Sequence, residues 1–337
     1  MTAAPTFARL PKAELHLHIE GTFEPELIFK LAQRNNISIP FESVEALRGA
    51  YNFADLQSFL YLYYQAMNVL RTEQDFFELA EHYLQKAQAD GVVHAEIFFD
   101  PQAHTSRGVS FDTVINGLYQ AVKNSEKNYG LTSRLIMCFL RDLSEDDAME
   151  TMDSATRHLE KIIAVGLDSA EVGNPPSKFK NVFARAMAEG LLTVAHAGEE
   201  GPPDYVWEAL SDLKVSRIDH GVRSLEDPAL VKHLTEHKVP LTVCPLSNVK
   251  LRVFDKLTDH NLKQMLDLGI VATVNSDDPA YFGGYVDDNL IQVAEALNLS
   301  KAEQIKLAKN SIEASFLTHA EKAAYLARID AFCQAPT

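Results

Sequence analysis

Five short stretches of the chain carry residues able to bind a metal and move protons. They are His16-Leu17-His18, His196-Ala197-Gly198-Glu199, Asp219-His220-Gly221, Ser247-Asn248 and Asn275-Ser276-Asp277-Asp278-Pro279. Three imidazoles (His16, His18 and His196) and the carboxylate of Asp277 suit one divalent cation. His220, Glu199 and Asp278 are then left for acid–base work and substrate contact. Such an inventory predicts a metal-dependent hydrolase that activates water. His16 and His18 alternate in an apolar run, so as strand residues they face the same way. Asp277 and Asp278 are neighbours whose charges repel; a cation beside Asp277 relieves that repulsion and frees Asp278 for substrate. Asp219 is expected to point away from His220 and to be structural.

Residues this far apart in sequence need a fold that gathers them. Eight apolar, β-branched segments recur: Ala13–Leu17, Val92–Phe98, Ser133–Leu140, Gly166–Glu171, Leu191–Ala195, Ser216–Asp219, Val239–Cys244 and Ile270–Asn275. Continuous apolar runs of this length suit strands buried on both faces of a parallel sheet. Helical spacing recurs between most of them, at Phe76–Ala89, Asp146–Val165 and Leu225–His237. Strand–helix alternation with polar residues at the strand ends, among them Glu96, Arg141 and Glu171, predicts a TIM (β/α)8 barrel whose mouth collects the site. The chain's 337 residues suffice for one such domain, which needs about 250. Helical patterns at Glu24–Asn35 and Ala54–Leu70 lie within a long connection, about 24–75, after the first strand. This predicts a helical insertion that either covers the mouth or packs elsewhere. The stretch from about 300 to 332 is read as C-terminal helices on the barrel exterior.

A net charge of −16 disfavours nucleic acid and anionic membrane surfaces as partners. Three widely spaced cysteines make neither a disulfide framework nor a thiolate zinc site. The N-terminus carries no basic, then apolar, leader pattern, and no run of about 18 apolar residues occurs, so a cytoplasmic location is expected. No Lys stands at a predicted inward strand end to bridge two metals, which favours one ion. The remaining histidines, His82, His94, His104, His158, His233, His237, His260 and His319, read as surface or packing residues.

Pro11-Lys-Ala-Glu-Leu-His-Leu-His-Ile-Glu-Gly21, Ala195-His-Ala-Gly-Glu199, Arg217-Ile-Asp-His-Gly221, Cys244-Pro-Leu-Ser-Asn248 and Asn275-Ser-Asp-Asp-Pro279 together resemble the adenosine/adenine deaminase family of the amidohydrolase superfamily, in order along the chain. The resemblance implies that His16, His18, His196 and Asp277 hold one Zn²⁺ per subunit, with Fe²⁺ able to occupy the same site. It implies that Glu199 protonates purine N1, that His220 and Asp277 activate the water attacking C6, that Asp278 bonds N7, and that the Gly173 backbone meets N3. Glu20 stands where adenosine deaminases usually carry Asp for the ribose 5′-hydroxyl; its extra methylene would fill the ribose space and meet the N9/N3 edge of a free base. The favoured expectation is therefore adenine to hypoxanthine, as in purine salvage, with adenosine or another 6-aminopurine as the alternative. The expected partner is a small purine, and a homo-oligomer stays open.

Overall fold

A computed structural model describes residues 9–334. Eight parallel strands pair in sequence order: β1 (Lys12–Glu14), β2 (Val92–Phe99), β3 (Thr132–Leu140), β4 (Ile162–Asp168), β5 (Leu192–Ala197), β6 (Arg217–His220), β7 (Leu241–Val243) and β8 (Ala272–Val274). This is the expected TIM barrel, with helices between strands. β4 begins earlier than its apolar run suggested, and the helix expected over Asp146–Val165 stops at Ala155. The reason is that Ile162–Leu167 is apolar without helical period, and periodicity alone does not separate a buried strand from a helix there.

The barrel closes at its mouth rather than along its full height. Leu17 bridges Asp277 in parallel, His18 N–H donates to Asp277 O at 3.0 Å and Asp277 N–H to His16 O at 3.0 Å. The backbone pairing that seals the barrel therefore also sets His16, His18 and Asp277 side by side. Lower down, the Asn275 side chain accepts from Leu15 N–H at 2.9 Å, and the helix Lys301–Ala314 packs over the β1–β8 seam.

Glu96 is not a mouth residue. It lies midway along β2 and pairs with Arg217, at the foot of β6, at 2.6 Å with both side chains fully buried. Burial works against the Glu96 charge, but Arg217 and His94 hold its pKa down at about 2. Arg217→Met would leave that carboxylate buried without its guanidinium partner, and unfolding in denaturant is expected to read a loss of about 3–5 kcal/mol. A loss below about 1 kcal/mol would put the pair in the class of solvent-exposed bridges.

Between β1 and the helix Glu73–Ala89 that leads into β2 stand three α-helices: α1 (Pro25–Arg34), α2 (Val44–Gly49) and α3 (Leu56–Ala66). Asp55 caps α3 by accepting from Ser58 N–H at 2.8 Å, while the Ser58 hydroxyl returns to the Asp55 backbone. Leu56, Phe59, Leu60, Tyr63 and Tyr64 of α3 line the cavity at the barrel mouth, so this insertion roofs the site. Tyr64 OH reaches Ser169 Oγ in the turn after β4 at 3.0 Å, tying the roof to the rim. Among the described residues no helix is long and apolar enough to cross a membrane. Residues 1–8, on which most of the reading of the N-terminus falls, lie outside the described residues.

Candidate active site

The Nε2 atoms of His16, His18 and His196 and Asp277 Oδ1 converge on one point, all four side chains buried. Asp277 Oδ1 lies 3.2 Å from His16 Nε2 and 3.4 Å from His18 Nε2, and His18 Nε2 lies 3.1 Å from His196 Nε2. A tetrahedral ion bound at about 2.0–2.1 Å would hold its ligand atoms about 3.3 Å apart. His16 Nε2 is buried without a hydrogen-bond partner, an acceptor that an ion would satisfy. The donor set and its spacing therefore fit a divalent cation.

An oxygen behind His16 turns that ring the right way, and carboxylates stand near the Nδ1 atoms of the other two. Thr242 Oγ1 donates to Asp219 at 2.8 Å and so accepts from His16 Nδ1–H at 3.0 Å, leaving the Nε2 lone pair for the ion. Asp219 Oδ2 is 3.9 Å from His196 Nδ1, and Asp168 Oδ2 is 3.5 Å from His18 Nδ1. Asp219 does not point away from the site, as strict strand alternation would have it. It faces the barrel interior beneath two of the histidines. His220, next in the chain, still faces the cavity because its backbone turns left-handed at φ 65°. Asp277 does the same at φ 63°, which brings Asp277 and Asp278 into the cavity together. Left-handed backbone at non-glycine residues is costly and concentrates at functional sites. The turn after β1 fits this close arrangement only as glycine: a Cβ on Gly21 would fall 2.6 Å from Asp278 Cα.

The electrostatics separate the carboxyl groups. Burial disfavours the Asp277 charge, yet the His16, His220 and His18 imidazoles beside it hold its pKa well below the usual range. Burial pushes Glu199 and Asp278 well above theirs, the Asp277 charge adding to each. Two carboxyls whose protonated form is favoured thus face one whose ionised form is favoured, across a single cavity. Burial also pushes His18 down to about 3 and His196 well below the usual imidazole value, so both are neutral, as metal ligands must be. His220 Nε2 sits between Glu199 Oε2 at 3.6 Å and Asp277 Oδ2 at 3.8 Å.

Glu199 owes its place to Glu171, beyond the end of β4. The Glu171 carboxylate accepts from four consecutive backbone amides, Gly198 at 2.7 Å, Glu199 at 3.1 Å, Glu200 at 2.8 Å and Gly201 at 2.7 Å. A polar residue at a strand end marked Glu171 in the sequence, but nothing there announced this clamp. Arg141, at the end of β3, donates to His196 O at 2.7 Å and fixes the same strand end from below.

Two expected substrate residues lie elsewhere. Gly173 occupies an exposed turn at φ 83° and is not among the residues lining the cavity; Asp168 and Ser169, from the start of that turn, are. Glu20 is buried behind the lining, where Oε1 accepts from His104 Nε2 at 2.8 Å and Asp100 N–H at 3.2 Å, and Oε2 has no partner. Asp100 does line the cavity. His94, His104 and His260 are buried rather than superficial. His104 bonds Glu20 behind the lining, and His260 bonds Asn248, which in turn reaches His220. Neither stands at a strand end or in a recognisable spacing, so the sequence carried no signal for them.

The sequence model of the adenosine deaminase family matches residues 11–332. The chain is 58% identical to an adenine deaminase of Acinetobacter baylyi, covering 98% of this chain and 99% of that protein. The crystal structure of an adenine deaminase from Arthrobacter aurescens, 56% identical, superposes with a TM-score of 0.95 over 96% of this chain and 99% of that one. An amidohydrolase from Burkholderia ambifaria with bound Zn, 26% identical, superposes with a TM-score of 0.89 over 99% and 95% of the two chains. With a matching model over nearly the whole barrel and relatives above half identity, this chain belongs to the adenosine deaminase family.

Proposed function

We propose that this protein deaminates adenine hydrolytically to hypoxanthine and ammonia, with one zinc ion held by His16, His18, His196 and Asp277. The observation that carries the reading is the single roofed cavity where those four ligand atoms meet the raised carboxyls of Glu199 and Asp278. The adenine deaminases at 56% and 58% identity support the substrate, and the zinc of the amidohydrolase neighbour supports the metal. Fe²⁺ would suit the same ligands.

A cation at this site supplies a water whose pKa is lowered toward neutrality. The chain's own residues do the rest. Glu199, protonated, gives its proton to N1, which leaves C6 electron-poor. Asp277 accepts a proton from the attacking water, which His220 orients, and returns it to the C6 amino nitrogen, so that the C6–N bond breaks and ammonia leaves. N7 of adenine is an acceptor, so Asp278 must bring the proton, as its raised pKa allows. The α3 roof excludes bulk water from this exchange.

The free-base reading also draws support from the opposite rim. Asp168 and Asp100 line the cavity, each with its Oδ1 buried without a hydrogen-bond partner, while Asp168 Oδ2 faces His18 Nδ1 at 3.5 Å. Free adenine offers an N–H on its imidazole edge to such acceptors, whereas a nucleoside carries ribose there and would leave them bare. Glu20 stands behind Asp100 and holds it. Glu20→Asp is expected to lower the preference for adenine over adenosine by roughly 10-fold or more. An unchanged ratio of the two kcat/KM values would remove Glu20 from the selectivity argument.

The deciding assay is ammonia release by zinc-loaded protein with adenine and adenosine in parallel. Strong preference for adenine is the expected result. Preference for adenosine would keep the metal site and overturn the free-base reading, and silence on both would overturn the reading as a whole. A cytoplasmic enzyme that needs neither nucleic acid nor membrane completes the proposal, consistent with its −16 charge.

A further inference from the structure

His220 is the cavity imidazole outside the ligand cluster, and what it can do there depends on which ring nitrogen carries its hydrogen. Three buried groups outside the metal cluster decide this, starting from a backbone amide. Leu262 N–H donates to His260 Nδ1 at 3.0 Å. An amide can only donate, so His260 Nδ1 is an acceptor. His260 is buried and neutral, its pKa pushed down to about 3 by desolvation, so its one hydrogen sits on Nε2. That Nε2–H faces Asn248 at 3.2 Å, and the atom receiving it must be the Asn248 carbonyl Oδ1. With Oδ1 so placed, Asn248 presents its NH₂ to His220 Nδ1 at 3.3 Å. His220 Nδ1 must then accept, and the His220 hydrogen sits on Nε2, the atom facing Glu199 and Asp277.

We propose that His260 and Asn248 are positioning residues that fix His220 as the Nε2–H tautomer through the run Leu262 N–H, His260, Asn248, His220. His220 then meets the attacking oxygen as a hydrogen-bond donor, not as the acceptor of its proton, and the proton goes to Asp277. His260 comes from the turn before the helix Leu262–Asp267, and Asn248 from the helix Pro245–Lys250. Neither lines the cavity. Their contact with the cavity runs through the ring of His220.

The first test needs no turnover. In protein labelled with ¹⁵N-histidine, metal-free and zinc-loaded, the His220 ring (identified by its loss in His220→Gln) should show a protonated Nε2 and an unprotonated Nδ1. A protonated Nδ1 overturns the proposal. The second test is kinetic and rests on the adenine reading above. Asn248→Asp puts an acceptor on both sides, draws the His220 hydrogen to Nδ1 and leaves a lone pair on Nε2. Turnover of adenine should fall by about 10²–10³-fold, the effect of losing one donor to a developing oxyanion, with KM and bound zinc little changed. His260→Leu should give a mixed tautomer and a smaller fall, and His260→Gln, whose amide can still donate to Asn248 Oδ1, should recover most of the wild-type rate. An Asn248→Asp variant that keeps both the Nε2–H signal and the wild-type kcat would overturn the proposal. A wild-type enzyme inert toward adenine but with the expected nitrogen pattern would overturn the substrate and leave the positioning role standing.

Discussion

Glu199→Gln is expected to lower kcat for adenine by about 10²–10⁴-fold, the usual share of a general acid, with the metal retained. The amide keeps the shape of the side chain and the four-amide clamp by Glu171, so position is preserved and only the transferable proton is lost. The pH dependence follows from the raised Glu199 pKa, caused by burial and by the Asp277 and Glu171 charges. The reacting form is the protonated one, so kcat/KM should fall as pH rises through that pKa, and the variant should lack this limb. Near-normal turnover by Glu199→Gln at neutral pH would assign the proton to another group.

Asp277→Ala is expected to remove activity to background and to lower the bound metal well below one per chain. On the roles proposed above, two losses coincide at this residue: the carboxylate ligand among three imidazoles, and the acceptor for the water's proton. Chelation of the wild-type protein should mimic the variant, and added Zn²⁺ should restore the wild type but not Asp277→Ala. Metal analysis separates the roles. Asp277→Asn with full metal and no turnover would make proton transfer the essential part, whereas full turnover in either variant would overturn the ligand assignment.

Most of the architecture was legible in the chain because a parallel barrel writes its strands as continuous apolar runs. All eight runs became strands, and β2 and β3 matched to within a residue. β4 was the harder case, since Ile162–Leu167 sits where a helical stretch and an apolar run overlap, and only pairing with β3 decides between them. The candidate ligands were legible for the same reason: a polar residue ending an apolar strand has few places to go but the mouth. Glu96 broke that rule because Arg217, far away in sequence, offers it a partner inside the barrel.

What the sequence determined by itself was the inventory: a (β/α)8 barrel, three histidines and an aspartate at its strand ends, and Glu199, His220 and Asp278 beside them. Side-chain type and strand period are local properties, and they suffice for that. What only the tertiary structure decided was direction and partnership. Left-handed turns at His220 and Asp277 send adjacent side chains into one cavity where alternation would separate them. Asp219 moved from bystander to support of His16 through Thr242, Glu171 became the clamp on Glu199, and His260 and Asn248 came to stand behind His220. Hydrogen bonds are short-ranged and directional, and these join residues distant in the chain, so their donors and acceptors exist as pairs only once the barrel has closed.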